Sequence, residues 1–451
     1  MPKLTWCFTL TTMEDISLPL TRAEQDELKN EPSSEFNGVE LCNSVREETE
    51  KTHRKLADEV ARSNFERKWT EICENDPRTK SLGGADQVAH ELVSSLGERF
   101  DHYFDATDAE SLKSVKAGKE VGIGIEAAVA GAGLNRKSIP HSAIIDKDHP
   151  LIIRSVETGG AADRAKIEAG DKIKSINGMD VIGMTRNQAM SQASDRNGAA
   201  VELIVSRRMK DGSEGEIELT VRQEETKQDT ATYQDLGDGV GYVKLKNFMA
   251  DEATNQMFFS LGKTSKDEAI ILDLRNNGGG KLFAMEQIAQ MILGTGEVYY
   301  TERRTDAGME VERKLLKEHT QVVQTIADGT TTESEYQRSA ERIVPQDKPI
   351  VVLVDEYSAS ASEILAGALQ ANNRAIVVGM PTTGKSEGQE ITTLPFNRAV
   401  ALTNFEFFPG GKSIPVDGLK PDIVVARGQG KEDLQLKKAK ELALILQRKQ
   451  N

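Results

Sequence analysis

Forty residues, 350–389, constrain this chain most: IVVLVDEYSASASEILAGALQANNRAIVVGMPTTGKSEGQ. The run 350–354 is apolar and β-branched, which predicts a buried strand. Residues 355–358 are small or polar and suggest a turn. From Ser360 the spacing of Ile364, Leu365, Ala368 and Leu369 is helical. A second apolar run, 375–378, predicts another strand. Ser360 therefore stands where a strand turns into a helix. The first amides of a helix lack intrahelical partners and the dipole is positive there. A carbonyl attacked by Ser360 would place its oxyanion near the amide of Ala361, and such donors are often the largest catalytic contribution. The competing reading is local, since Ser360-Ala-Ser-Glu363 also fits a capping box and caps far outnumber nucleophiles.

The base shifts the balance, because a nucleophilic serine needs one nearby. The six histidines are His53, His90, His102, His141, His149 and His319. Only His319 lies beyond residue 225, so a Ser-His-Asp triad is the weaker reading. Lys385, in a Gly-bearing loop after the second strand, is the stronger candidate. Gln389 returns to the same face four residues later in a strand, and nearly so in a helix. A lysine base must be neutral. Its pKa has to fall from about 10.4 to about 7–8 by burial, roughly 4 kcal/mol. Gln389 could orient the amine without adding charge.

The segments S-A-S360-A-S-E-I, R-A-I-V-V-G and G-K385-x-x-x-Q389 resemble the C-terminal processing (tail-specific) proteases. The resemblance implies Ser360 as nucleophile, Lys385 as base and Gln389 as its orienting partner. Residues 273–280, Asp-Leu-Arg-Asn-Asn-Gly-Gly-Gly, resemble the family's DLRxNPGG, with Gly278 where proline is usual. There the family supplies a second oxyanion amide, which points to Gly279, with Gly280 close behind; glycine lets backbone approach a ligand closely. The stretch 96–105, LGERFDHYFD, resembles the element preceding the PDZ domain in these proteases, and His102 within it reads as packing rather than catalysis.

Gly122-Ile123-Gly124-Ile125 resembles the carboxylate-binding loop of PDZ domains, where backbone amides hold a peptide's terminus. Residues 159–178 resemble the PDZ pattern GSPAxxAGLxxGDxIxxINGxxV, with Ala161 and Lys166 departing from it at a turn and a helix. Strands are expected at 151–156, 201–205 and 217–221. Residues 239–245 resemble the strand GIGYIRI that opens the protease core, and 411–422 its close. Helices are expected at about 43–73, 85–96, 282–293 and 434–446. The charged insertion 301–346 is expected to carry helical stretches and to be a solvated surface, with a lid or oligomer contact as the minority reading.

The expected architecture is a multidomain α/β protein. A helical N-terminal region (1–117) precedes a PDZ domain (118–225) and a crotonase-like protease core of the ClpP/crotonase type with a C-terminal helix (226–451). The implied reaction is peptide-bond hydrolysis through an acyl-enzyme, without metal or cofactor. The expected partners are protein or peptide substrates with free, apolar C-termini, and a homo-oligomer stays open. The alternative is an inactive PDZ scaffold or a peptide-binding protein on the same core. A net charge of −15 argues against partners that need a generally basic surface, nucleic acid among them. No apolar run is long enough to span a bilayer. Trp6 to Leu10 is too short for a signal-peptide core, so the chain reads as cytoplasmic. The resemblance pulls instead toward a periplasm or thylakoid lumen for a mature form. Cys7, Cys42 and Cys73 are odd in number and match no metal spacing, so free thiols are expected.

Overall fold

The computed structural model describes residues 38–449 except 54–58, 75, 117–118, 130–144, 158, 185, 194–198, 210, 228, 306–307 and 427–431. The readings made of residues 1–37, Cys7 among them, lie outside the described residues.

The N-terminal part is helical. Helix α1 (Gly38–Thr52) is followed by α2 (Glu59–Trp69), a π turn (Thr70–Glu74) and α3 (Leu82–Ser94). Leu41, Val45, Phe65, Trp69, Val88 and Leu92 face inward and form one cluster with Leu394, Val400 and Leu402 of the C-terminal half. A short strand β1 (His102–Phe104) leads into α4 (Ala106–Lys116).

The next region is a small, mainly antiparallel sheet. Strand β2 is Lys119–Gly122 and β3 is Ile125–Val129. Strand β4 (Leu151–Val156) is followed by the single turn α5 (Ala161–Arg164). Then come β5 (Lys172–Ile176), β6 (Met179–Asp180), α6 (Arg186–Ser191), β7 (Ala200–Arg208), β8 (Glu214–Arg222) and β9 (Glu224–Lys227). The sheet runs β3-β4-β5-β7-β8, so β3 is an edge strand, and β2 pairs with β9 where the chain enters and leaves. Ile123, Ile153, Ile173, Leu203 and Val221 fill its own core.

The C-terminal core has two sheets. Its first elements are β10 (Ala231–Asp235), β11 (Val240–Leu245), α7 (Ala253–Lys263), β12 (Ala269–Asp273) and α8 (Leu282–Ile292). Strands β13 (Gly296–Thr305), β14 (Gly308–Leu316), β15 (Thr320–Ala327) and β16 (Thr330–Gln337) follow. Next come β17 (Ile350–Val354), α9 (Ala361–Ala371) and β18 (Ile376–Gly379). The chain ends with β19 (Glu387–Leu394), β20 (Arg398–Pro409), β21 (Ile423–Val424) and α10 (Leu434–Arg448).

The central sheet has the order β10-β11-β12-β17-β18-β21, and β11, β12, β17 and β18 run parallel. Both faces are covered, which is why β12 and β17 read as unbroken apolar runs rather than alternating ones. Ile270, Leu272, Val352 and Val354 pack against residues of α7, α8 and α9. Ile271, Val351, Leu353 and Val378 pack against Ala439 and Ala443 of α10. Among the described residues no helix is long and apolar enough to cross a membrane.

The insertion departs from its expected form. Residues 308–337 are not helical but three antiparallel strands that extend β13, in the order β20-β13-β14-β15-β16. Threonine and valine favour a pleated surface, and the charges are tolerated because this extension keeps a solvated face. The local signal was Asp328-Gly329. Both residues have positive φ, +50° and +72°, as a two-residue type I′ hairpin requires.

Candidate active site

The site is built where β12 and β17 end, at the carboxyl edge of the parallel sheet. Two loops leave this edge side by side and are fastened together. Asp355 Oδ1 accepts the Asn276 amide at 2.9 Å, and Ser358 Oγ donates to the Leu274 carbonyl at 2.8 Å. The Asn277 carbonyl takes Ser362 Oγ at 2.8 Å and the Ala359 amide at 3.0 Å.

Ser360 occupies the position before the first turn of α9 with φ +54° and ψ −118°. Few L-residues adopt this backbone, and such strain persists only where the surroundings impose it. The glutamate half of the capping box forms, since Glu363 Oε2 accepts the Ser360 amide at 2.9 Å. The same Oε2 accepts the amide of Lys385 at 3.0 Å, while Oε1 takes the Gly384 amide at 2.8 Å and the Thr382 hydroxyl. One fully buried carboxyl thus holds the backbone of both Ser360 and Lys385. Burial pushes this carboxyl upward, and its four donors pull it back toward the ionised form. Only glycine fits at 384, because a Cβ there would meet the Val416 carbonyl oxygen at 2.4 Å.

Lys385 Nζ donates to Gln389 Oε1 at 2.6 Å. The Gln389 amide nitrogen in turn donates to the Phe100 carbonyl, which sets the amide so that its oxygen faces the lysine. The Phe100 ring covers the ammonium, with Nζ 4.9 Å from the ring centre. Enclosure of the amine lowers the Lys385 pKa to about 8, against the upward pull of Glu387, Glu363 and Asp101. Asp101 is itself held by the Thr403 amide at 2.7 Å and by His53 Nε2 at 2.7 Å. Phe100, Asp101 and Glu363 are the site residues that sequence reasoning missed. Glu363 was legible only as a capping residue. Phe100 and Asp101 lay within the recognised 96–105 element but carried no sign of contact with Lys385.

Gly279 lies against Ser360. A Cβ there would sit 2.7 Å from the Ala359 carbonyl oxygen, 2.9 Å from Ser360 Cβ and 3.0 Å from the Ala361 amide nitrogen. Its φ of +97° also requires glycine. The Gly279 amide donates to Asn277 Oδ1 at 2.9 Å, so in this conformation it serves its own loop. Gly280 packs on the Phe248 backbone in an isolated parallel bridge, whose bonds use the Gly279 carbonyl and the Lys281 amide rather than the Gly280 amide. The Ala361 amide takes part in none of the described hydrogen bonds.

Ser360, Ala361, Lys385, Gln389 and Gly279 are therefore brought together, with Gly280 just behind. Gly122, Ile123, Gly124 and Ile125 span the bend from the end of β2 to the start of β3 in the PDZ region. There the Ile123 and Gly124 carbonyls accept the Ala162 and Glu157 amides, each at 2.9 Å, at the entry to edge strand β3. Arg154 of β4 reaches across to the turn before Ser360, its guanidinium 4.7 Å from the Tyr357 ring centre. His102 is half-buried beside Phe104 and His90, and desolvation lowers its pKa to about 4, as suits a packing residue. Among the described residues no group of three or more His, Cys, Asp or Glu is arranged to hold a metal ion.

These features describe a serine-type peptidase core joined to a PDZ domain. Peptidase family S41 matches residues 239–425, and the PDZ domain family matches 114–206. A carboxyl-terminal-processing protease of Picosynechococcus is 30% identical over 357 residues, covering 77% of this chain and 74% of that protein. The chain belongs to the family of carboxyl-terminal-processing proteases. A carboxy-terminal-processing protease of Bartonella bacilliformis is 29% identical over 330 residues, 72% of this chain and 65% of that one. The chloroplastic carboxyl-terminal-processing peptidase 2 of Arabidopsis thaliana is 28% identical over 354 residues, 76% of this chain and 60% of that one. The solved photosystem II D1 C-terminal processing protease shares the fold. Its TM-score is 0.57 at 21% identity, over 86% of this chain and 93% of that one.

Proposed function

We propose that the chain hydrolyses peptide bonds with a Ser360–Lys385 dyad. The observation that carries this reading is the shared carboxylate oxygen of Glu363, which fixes both backbones at once, beside an enclosed amine. With a pKa near 8 an appreciable fraction of Lys385 is neutral at physiological pH. Neutral Lys385 takes the Ser360 proton as Oγ attacks the scissile carbonyl carbon. The ammonium so formed is steadied by Gln389 and passes its proton to the leaving amine. Water, deprotonated by the same lysine, then releases the acyl group. The oxyanion is held by the Ala361 amide and by an amide of the Gly279–Gly280 segment, with the Gly279 amide leaving Asn277 when substrate binds. The Gly278 departure from proline lets this segment turn.

The PDZ part, 118–225, recognises substrate C-termini. The carbonyls of the 123–124 bend point into the domain, leaving its amides for a terminal carboxylate, and edge strand β3 can take an added strand. Apolar C-termini suit this site. The test is turnover of casein by the wild type beside Ser360→Ala and Lys385→Ala. Both variants should be inactive, and their losses should not add because the two residues act as a unit. Retained turnover in either variant refutes the dyad. Separately, an apolar-tailed peptide should be cleaved faster than its C-terminal amide. Equal rates would remove the PDZ role alone.

A further inference from the structure

His53 and Asp101 take no direct part in the chemistry above, yet both side chains are wholly buried. His53 follows the last residue of α1, and its amide donates to the Thr49 carbonyl at 2.9 Å, so that helix fixes its place. Its Nε2 donates to Asp101 Oδ2 at 2.7 Å, across 48 residues of chain, while Asp101 Oδ1 accepts the Thr403 amide at 2.7 Å. Thr403 of β20 is the cross-strand partner of Gln389 on β19. The Asp101 carboxyl is therefore fastened through both oxygens beside the residue that orients Lys385. Phe100, just before it, takes the Gln389 amide nitrogen on its carbonyl and lays its ring over the Lys385 ammonium, 4.9 Å away. Arg99 also lies against that ring, its guanidinium 4.8 Å from the centre. The inner face of α1 is otherwise apolar, with Leu41 and Val45 in one cluster with Val400 and Leu402 of β20. An imidazole and a carboxyl taken out of water there stabilise the fold no better than apolar groups of like volume would. What the pair supplies is a fixed hydrogen-bond geometry for the 99–101 segment.

We propose that His53 is a positioning residue for Lys385: by holding Asp101 it fixes the Phe100 carbonyl on Gln389 and the Phe100 ring over the amine, and so ties the N-terminal helical region to the base. The inference rests on the Ser360–Lys385 reading. Without the His53 bond, Asp101 keeps its bond to Thr403, but the 99–101 segment is free to shift. Gln389 then loses the acceptor that turns its oxygen toward Lys385, and water reaches the amine. A base displaced by about 1 Å loses up to about a hundredfold in rate. Desolvation is the largest cause of the Lys385 lowering, so entry of water moves its pKa upward from about 8. The carboxylates that face the amine, Glu387, Glu363 and Asp101, pull in the same direction.

The experiment follows cleavage of an apolar-tailed peptide by the full chain as a function of pH, with a thermal melt of each protein. His53→Gln sets an amide donor where Nε2 stood, whereas the shorter amide of His53→Asn stops short of Asp101. His53→Asn should lower kcat at pH 7 roughly ten- to a hundredfold with KM little changed. It should also move the inflection of kcat/KM upward by about half a unit to one unit. His53→Gln should bring both back toward wild type. Val45→Ala loosens the same helix without touching Asp101, so it should melt lower and keep the wild-type profile. Should His53→Asn give no folded protein, His53→Ser, which also has no donor at that reach, carries the same comparison. A wild-type profile in His53→Asn would overturn the proposal. So would a failure of His53→Gln to restore it, or an equal shift in Val45→Ala, which would mark general loosening of the helices. A wild type with no inflection near pH 8 would instead sink the dyad, and this inference with it.

Discussion

Replacing Lys385 with methionine separates the two consequences of enclosing an amine. In the folded protein its pKa is about 8, against 10.5 for an exposed lysine. The difference of about 2.5 units corresponds to about 3 kcal/mol at 1.36 kcal/mol per unit. The direction follows from proton binding. A lowered folded pKa means the folded state sheds its proton first, so between pH 8 and 10.5 the unfolded chain holds more protons. Stability from this group therefore rises with pH across that window, and its full penalty is present below pH 8. The methionine side chain has no charge to desolvate. The stability of Lys385→Met relative to wild type should thus be about 3 kcal/mol more favourable at pH 7 than at pH 10.5, whatever constant packing change the substitution makes. Urea unfolding of both proteins at several pH values measures this, and every other titrating group cancels in the comparison. The same amine should make kcat/KM climb through an apparent pKa near 8, with turnover lost in the variant. A stability difference that stays flat within about 0.5 kcal/mol from pH 7 to 10.5 would refute the enclosed lysine.

Three further outcomes are expected. Ser360→Gly should abolish turnover yet melt no lower than wild type, because glycine relieves a φ of +54° whose strain costs about 1–3 kcal/mol. Ser360→Ala should be equally inactive without that relief, and paired thermal melts distinguish them. Gly279→Ala should lose most of its turnover and about 1–3 kcal/mol of stability, since its methyl would lie 2.9 Å from Ser360 Cβ in a backbone region alanine avoids. Phe100→Ala should admit water to the amine and move the apparent pKa of kcat/KM upward from about 8, as desolvation is the largest cause of the lowering. A pH–rate profile unchanged by this substitution would remove Phe100 from the site.

The amino-acid sequence by itself determined the strand–turn–helix around Ser360, the strand after it and the 385/389 spacing. Each of these is settled by residues a few positions apart: an apolar run long enough for a buried strand, small residues at a turn, apolar residues at helical intervals. The central strands β12 and β17 were legible for the same reason, since two covered faces leave an unbroken apolar run. The tertiary structure alone decided what encloses and orients the Lys385 amine. Phe100 reaches Gln389 from 289 residues away, and no local pattern records which carbonyl will face an amide after the chain returns. Glu363 reads as a helix cap in sequence. Only the folded loop reveals that its carboxyl also holds Lys385, and only there does the Asn277 side chain take the Gly279 amide. The insertion became sheet rather than helix because β13 offered an edge on which its threonine- and valine-rich stretches could pair. Local propensity is expressed within a few residues. Desolvation, cross-chain hydrogen bonds and strand pairing depend on what the rest of the chain brings alongside.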